Sequence, residues 1–177
     1  MPSWNSRGLR GSMLEDLINV TNDRYRDQGL ALIQKIPTPI TPIEMDSHKH
    51  ITLAYFDKKS TVDYIGVVQG VPVCFDAKEC HSTTFALANI HEHQVKFMRE
   101  FEKQEGVAFL LIYFTEEDVY YYMRLRELES FLKRAESGGR KSFRLDELKG
   151  EYMIKNLSQT YIPYLEMLKK DLAERDS

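Results

Sequence analysis

A mixed α/β fold is what this sequence predicts, and three observations carry the expectation. Apolar residues recur at helical spacing near both ends of the chain and in its middle, first at Leu14, Leu17, Ile18, Thr21 and Tyr25. Between these stretches lie β-type runs, of which Val107 to Phe114 is continuously apolar and fit for a buried central strand. The order is helix, strand, excursion, hairpin, helix, strand, strand, helix, which sets helices against a mixed sheet. At 177 residues the chain reads as one domain, residues 1–177, long enough to bury a sizeable core.

Each element has its own signal. Ser12-Met13-Leu14-Glu15 is a capping-box pattern that starts the first helix, and Gly29 is a natural stop. Glu15, Asn19 and Asn22 share a second, polar face of this helix. That face meets solvent, or it points Glu15 at a site. Leu30 to Ile36 is a short β-type run. Pro37, Pro39 and Pro42 then rule out a central strand or a helix interior, and Ile51 to Phe56 looks like a returning strand. Residues 37–59 are therefore a long excursion, either a loop or a projecting ribbon, and such segments are usually functional or disordered. Two β-type runs meet at Gln69-Gly70, a hairpin turn signal.

Asn89-Ile90-His91-Glu92 is a second cap pattern. Ile90, Gln94, Phe97, Met98 and Phe101 follow on one helical stripe, ended by Gly106. Gln94 stands out there. A buried amide needs partners, so it bonds backbone or reaches a site. Val119 to Tyr122 is expected to pair with Val107 to Phe114 across Thr115-Glu116-Glu117-Asp118. Leu125 to Ala135 reads as a helix stopped by Gly138-Gly139, and Tyr161 to Ala173 as a C-terminal helix.

The composition excludes several classes. Hydrophobic content of 42% and charged content of 29% indicate a globular chain. No apolar run approaches a membrane span, and the N-terminus has no apolar signal core, so a cytoplasmic protein is expected. Two cysteines, Cys74 and Cys80, suggest no disulfide framework. A net charge of −3 argues against a uniformly basic nucleic-acid binder but leaves room for local patches. Cys80, His81, His91 and His93 match no standard zinc spacing, and His91 and His93, two apart on an expected helix, should point different ways. Nucleophile-elbow, Walker and dinucleotide glycine motifs are missing.

The hairpin carries the chemistry. Asp63 opens its first run, and Asp76-Ala77-Lys78 closes the second. Strand side chains alternate faces, so Asp76 and Lys78 share a side, and the hairpin folds Asp63 toward them. Two carboxylates and an ammonium at a sheet end make a minimal site for Mg²⁺-dependent phosphodiester hydrolysis. Gly138 to Arg144 is a basic, glycine-led segment with Phe143 inside it. It reads as a surface loop, or as a phosphate-backbone contact through Arg140, Lys141 and Arg144.

Together these pieces resemble the RecU family of Holliday-junction resolvases. The resemblance rests on Asn5-Ser6-Arg7-Gly8, the first helix around Glu15, Lys35-Ile36-Pro37-Thr38-Pro39, and the hairpin segments Ser60 to Tyr64 and Phe75 to Glu79. Thr84 to Leu87, His91 to Gln94, Gly139 to Ser142 and Asp146 to Leu148 continue it in order. The resemblance implies a restriction-endonuclease-like mixed central sheet flanked by helices, with a protruding stalk over 37–59. It implies a homodimer that nicks branched DNA, a four-way junction, in pairs during recombination and repair, and association with a strand-exchange recombinase. It assigns Thr61, Asp63, Asp76 and Gln94 to Mg²⁺, with Mn²⁺ as a substitute, Lys78 to the transition state, and Glu15 to support of the site. This chain departs from the family pattern in having Asp76 where glutamate is usual, in lacking a basic tail before Trp4, and in a somewhat shorter stalk. A nuclease for another DNA structure and a non-cleaving modulator of a recombinase remain open beside this reading.

Overall fold

Six strands with helices on both faces form the body of the protein, in a computed structural model that describes residues 13–56, 61–155 and 161–175. Ser12, Ser60 and the segment Asn5 to Gly8 lie outside the described residues. The elements are α1 (Met13–Asp27), β1 (Ala31–Lys35), β2 (Ile40–Met45), β3 (Ile51–Phe56), β4 (Tyr64–Val68), β5 (Val71–Cys80), β6 (Thr84–Ala86) and α2 (Glu92–Glu102). They continue with β7 (Val107–Phe114), β8 (Val119–Arg124), α3 (Leu125–Glu136), β9 (Ser142–Arg144), β10 (Met153–Lys155) and α4 (Tyr164–Arg175). The main sheet runs β1-β4-β5-β7-β8-β10. Only β5 and β7 pair in parallel, because α2 provides the crossover between them. Among the described residues no helix is long and apolar enough to cross a membrane.

Alternation along β5 sorts the two faces. Phe75 stacks between Tyr64 and Phe109, with ring centroids 4.7 Å away on each side. Tyr164 of α4 packs on Phe75 at 5.3 Å, and Tyr25 of α1 meets Tyr164 edge-on at 5.3 Å. Helices α1 and α4 thus cover the Phe75 face. Asp76 projects to the opposite face, where α2 lies against β5 and β7. Strand β7 is buried along its whole length, as its unbroken apolar run requires.

The hairpin turn is closed by Gln69 and Gly70, at φ 48° and 89°. Two positive φ values match the right-handed twist of the flanking strands, which fixes the register of Tyr64 against Phe75. Gly66 is needed for contact with β1. A Cβ there would lie 2.1 Å from the Leu32 carbonyl oxygen.

The excursion is a ribbon. Strands β2 and β3 pair only with each other, with irregular register after Pro42. Pro42 sits inside β2, which a two-stranded ribbon tolerates because every strand in it is an edge. Two helix starts differ from expectation. Helix α2 is capped at His91 and not at Asn89, since Leu87–Asn89 forms a separate 3₁₀ turn. Helix α4 starts at Tyr164 and not at Tyr161, because Pro163 disfavours helical backbone at Ile162. Strands β6, β9 and β10 have three residues each, too few to show a period.

Candidate active site

The hairpin brings the two aspartates together. Asp63 immediately precedes Tyr64, and Tyr64 pairs with Phe75, which places Asp63 beside Asp76. Asp63 Oδ2 accepts the Ala77 N–H at 2.9 Å, so the first carboxylate is anchored on the strand that carries the second. Asp76 is fully buried. Its Oδ1 accepts a hydrogen bond from Gln94 Nε2 at 2.8 Å. Its Oδ2 faces the Lys78 ammonium as an ion pair. Burial, with Asp63 adding like charge, pushes the Asp76 carboxyl from 3.8 up to about 7 against the opposing pull of Lys78.

Lys78 retains 19% of its side-chain exposure, so it lies between the buried carboxylate and solvent. Thr61 is half-buried two residues before Asp63. Gln94 bonds in both of the ways its position suggested. Its Oε1 accepts the His91 N–H at 3.1 Å, while its Nε2 reaches Asp76. The neutral amide is therefore satisfied at both ends inside the apolar stripe.

Glu15 lies in the first turn of α1 and accepts from Lys35 Nζ at 2.7 Å. Its contact to the hairpin runs through Tyr64, whose hydroxyl donates to Asn19 Oδ1 at 3.1 Å and lies 3.4 Å from the Glu15 carbonyl. Asn22 is buried and accepts the Tyr164 hydroxyl, so the polar face of α1 is used inward for much of its length. Glu79, next to Lys78, accepts the Leu14 N–H at 3.1 Å and ties the start of α1 to β5. Lys35, Tyr64 and Glu79 escaped sequence reasoning, although Glu79 belongs to the same run as Asp76 and Lys78.

Arg140, Lys141 and Arg144 are exposed. Arg140 pairs with Glu147 at 2.9 Å and Arg144 with Asp146 at 3.1 Å. Phe143 between them is buried and stacks on Phe85 at 5.0 Å and Phe131 at 4.7 Å. Strand β9 pairs with β6, and Lys141 accepts the Leu87 N–H at 3.0 Å. The basic segment is thus held against the connection that runs from Lys78 to Gln94.

The histidine and cysteine cluster is engaged otherwise. Cys80 Sγ donates to the Ser82 carbonyl, and His81 Nδ1 lies 3.1 Å from Thr115 Oγ1. The His91 and His93 rings stack at 5.4 Å instead of diverging, because His91 is an extended cap residue outside the helix. Among the described residues no three His, Cys, Asp or Glu side chains gather as metal ligands.

The family model described as Recombination protein U matches residues 9–170. The Holliday junction resolvase RecU of Pediococcus pentosaceus is 39% identical over 169 residues, covering 92% of this chain and 84% of that protein. The protein of the same name from Oceanobacillus iheyensis is 41% identical over 160 residues, covering 88% of this chain and 78% of that protein. The structure of Archaeoglobus fulgidus Hjc, a Holliday junction resolvase, aligns at 8% identity with a TM-score of 0.39, over 66% of this chain and 78% of that one.

Proposed function

This chain belongs to the RecU family, and we propose that it is a divalent-metal-dependent endonuclease that resolves four-way DNA junctions by paired nicks. One observation carries the chemistry. Asp76 is a fully buried carboxylate with one oxygen held by Gln94 and the other facing the Lys78 ammonium, beside the second carboxylate of Asp63. Two carboxylates placed together favour a bound cation, since a single ammonium does not compensate both. A set of two carboxylates suits Mg²⁺, which typically takes one or two from the protein and fills its shell with water and phosphate oxygen.

Asp63 and Asp76 would hold the cation, with Thr61 and the amide oxygen of Gln94 as further donors. Bound there, a divalent ion would polarise the phosphodiester and make a water molecule more acidic. The rest falls to the chain's own residues. Lys78 places a positive charge at the rim of the buried carboxylate, where a phosphate acquiring charge would benefit most. Without a cation, the Gln94 amide holds Asp76 Oδ1. Glu15 acts at one remove, through α1 and Tyr64. Arg140, Lys141 and Arg144 would track the phosphate backbone. The whole chain serves as one nuclease domain, and the β2–β3 ribbon is the part suited to the opening between junction arms. Two nicks on a two-fold symmetric substrate call for a two-fold symmetric enzyme, so a homodimer belongs to the same reading.

The test is incubation with end-labelled four-way, flap and duplex DNA, with Mg²⁺ or with chelator. Symmetric nicks confined to the junction, and only with Mg²⁺, are expected. Cleavage of flaps or duplex ends at equal rate would assign the site to another DNA structure. Binding without cleavage under every metal condition would leave a modulator of recombination.

A further inference from the structure

Glu147 is a meeting point within the basic segment. It ends the short 3₁₀ turn Leu145–Glu147, and its two carboxylate oxygens are divided between partners. Oε2 accepts the Arg144 N–H at 2.8 Å, while Oε1 accepts from Arg134 Nη1 at 2.6 Å and lies 2.9 Å from Arg140 Nη2. The two arginines are not equivalent. Arg134, in the last turn of α3, is committed inward. Its Nη2 donates to the Ser142 carbonyl at 2.5 Å, its guanidinium lies over the Phe131 ring at 4.9 Å, and its own carbonyl accepts the Gly139 N–H at 2.9 Å. A Cβ at Gly139 would meet that carbonyl at 2.7 Å, so the close approach requires glycine. Arg134 thus touches the segment at its start, at β9 and at the turn beyond. Arg140, by contrast, is more than half exposed.

We propose that Glu147 is a positioning residue for phosphate binding: Arg134 and the Arg144 N–H anchor its carboxylate, and the carboxylate orders Arg140 and the turn that carries Arg144 for contact with DNA. The Arg134 hydrogen bond, and then the Arg144 N–H, hold the Glu147 carboxyl below its ordinary range, so the anchor is ionised at neutral pH. When Arg140 turns to a phosphate, Glu147 keeps its other two partners and the segment keeps its shape. Long cationic side chains lose much rotamer freedom on binding, and ordering them beforehand removes part of that cost. The proposal rests on the phosphate-contact reading above, whereas the anchoring of Glu147 by Arg134 stands without it.

The first test follows the anisotropy of a labelled four-way junction in chelator, over a series of KCl concentrations, with Glu147→Gln, Arg140→Gln and the pair. Charge alone predicts that removing an acid from a DNA-binding surface tightens binding. Positioning predicts the reverse: Glu147→Gln weakens binding about fivefold, by freeing the side chains that Glu147 had ordered. The slope of log affinity against log salt should fall by about one, as for the loss of one phosphate contact. The effect of Glu147→Gln should also shrink in the Arg140→Gln background, since part of it acts through Arg140. Tighter binding by Glu147→Gln, or full additivity with Arg140→Gln, would overturn the proposal. An Arg140→Gln variant with unchanged affinity and slope would remove the phosphate-contact reading instead. The second test is hydrogen exchange at the Arg144 amide without DNA, with the β7 amides reporting that each variant is folded. Protection should be lost in Arg134→Gln and kept in Arg140→Gln. The opposite pattern would show that Arg140, and not Arg134, anchors Glu147, and would overturn the proposal whatever the DNA result.

Discussion

Replacing Asp76 by asparagine should stabilise the metal-free protein at alkaline pH. The carboxyl is fully buried and has Asp63 beside it, and its folded value is about 7 against an ordinary 3.8. The folded state therefore holds this proton more tightly than the unfolded chain does. The associated stability is fully present below pH 4. It falls as the pH rises toward 7, and above that the folded protein carries the whole penalty of a buried charge. A displacement of roughly three units corresponds to about 4 kcal/mol. Asparagine cannot ionise, and its Oδ1 still accepts from Gln94. Its amide nitrogen faces Lys78, however, and that mismatch returns about 1–2 kcal/mol. The expected net gain is about 2 kcal/mol at pH 8, reversing to a small loss near pH 4. Urea unfolding of both proteins in chelator, at pH 4 to 8, measures the difference, and because other titrating groups are common to both, that difference isolates position 76. Adding Mg²⁺ at pH 8 should reverse the ranking, since only the unmutated site gains stability by mass action. A difference that stays flat from pH 4 to 8 would refute the reasoning.

Lys78→Ala should retain junction binding in Ca²⁺ yet lose cleavage in Mg²⁺ by about 10²-fold or more, as expected for one preorganised charge acting in the transition state. Parallel loss of both, by gel shift and nicking assay, would make Lys78 a DNA contact. Mn²⁺ should replace Mg²⁺ in cleavage, and Ca²⁺ should bind without supporting it. Full activity in chelator would dismiss the metal reading. Gly66→Ala should destabilise the fold by about 3 kcal/mol in urea unfolding, because the new Cβ meets backbone atoms of Leu32 and Ile33 at 2.1 and 2.7 Å, which have no rotamer to change. Normal stability would mean that β1 yields easily. Replacing residues 38–53 by a short Gly-Ser linker should leave urea stability nearly unchanged, since β2 and β3 pair only with each other, while junction cleavage drops well below duplex binding. Undiminished junction cleavage by that variant would detach the ribbon from substrate choice.

Much of the fold was legible because its signals are local. Val107 to Phe114 is apolar without interruption and is β7 to the residue. Gln69-Gly70 is a turn because both residues take positive φ. The pairing of Asp63 with Asp76 follows from that turn alone. What the sequence left open depends on contacts between distant segments. Strands β6 and β9 are three-residue elements some sixty residues apart, joined by pairing that no periodicity announces. The helix cap at His91 depends on the 3₁₀ turn before it, and the apparent cap at Asn89 is spent inside that turn. At Gln94 the sequence offered backbone or site as alternatives, and the amide, having two ends, takes both.

The pairing of β6 with β9 bears on substrate binding. It carries the basic segment from late in the chain to the connection between Lys78 and Gln94. Arg140 and Arg144 are already paired with Glu147 and Asp146, which at first sight removes them from service. Both arginines are more than half exposed, and ion pairs of that kind are worth about 0–1 kcal/mol each. A DNA phosphate offers a fixed charge within a dense row of charges, together with counterion release. The exchange of a weak internal partner for a phosphate is therefore favourable. The anchor of this surface is Phe143, buried between Phe85 and Phe131. The pairing of β9 with β6 fixes the backbone that carries Arg144, while its side chain stays exposed to solvent.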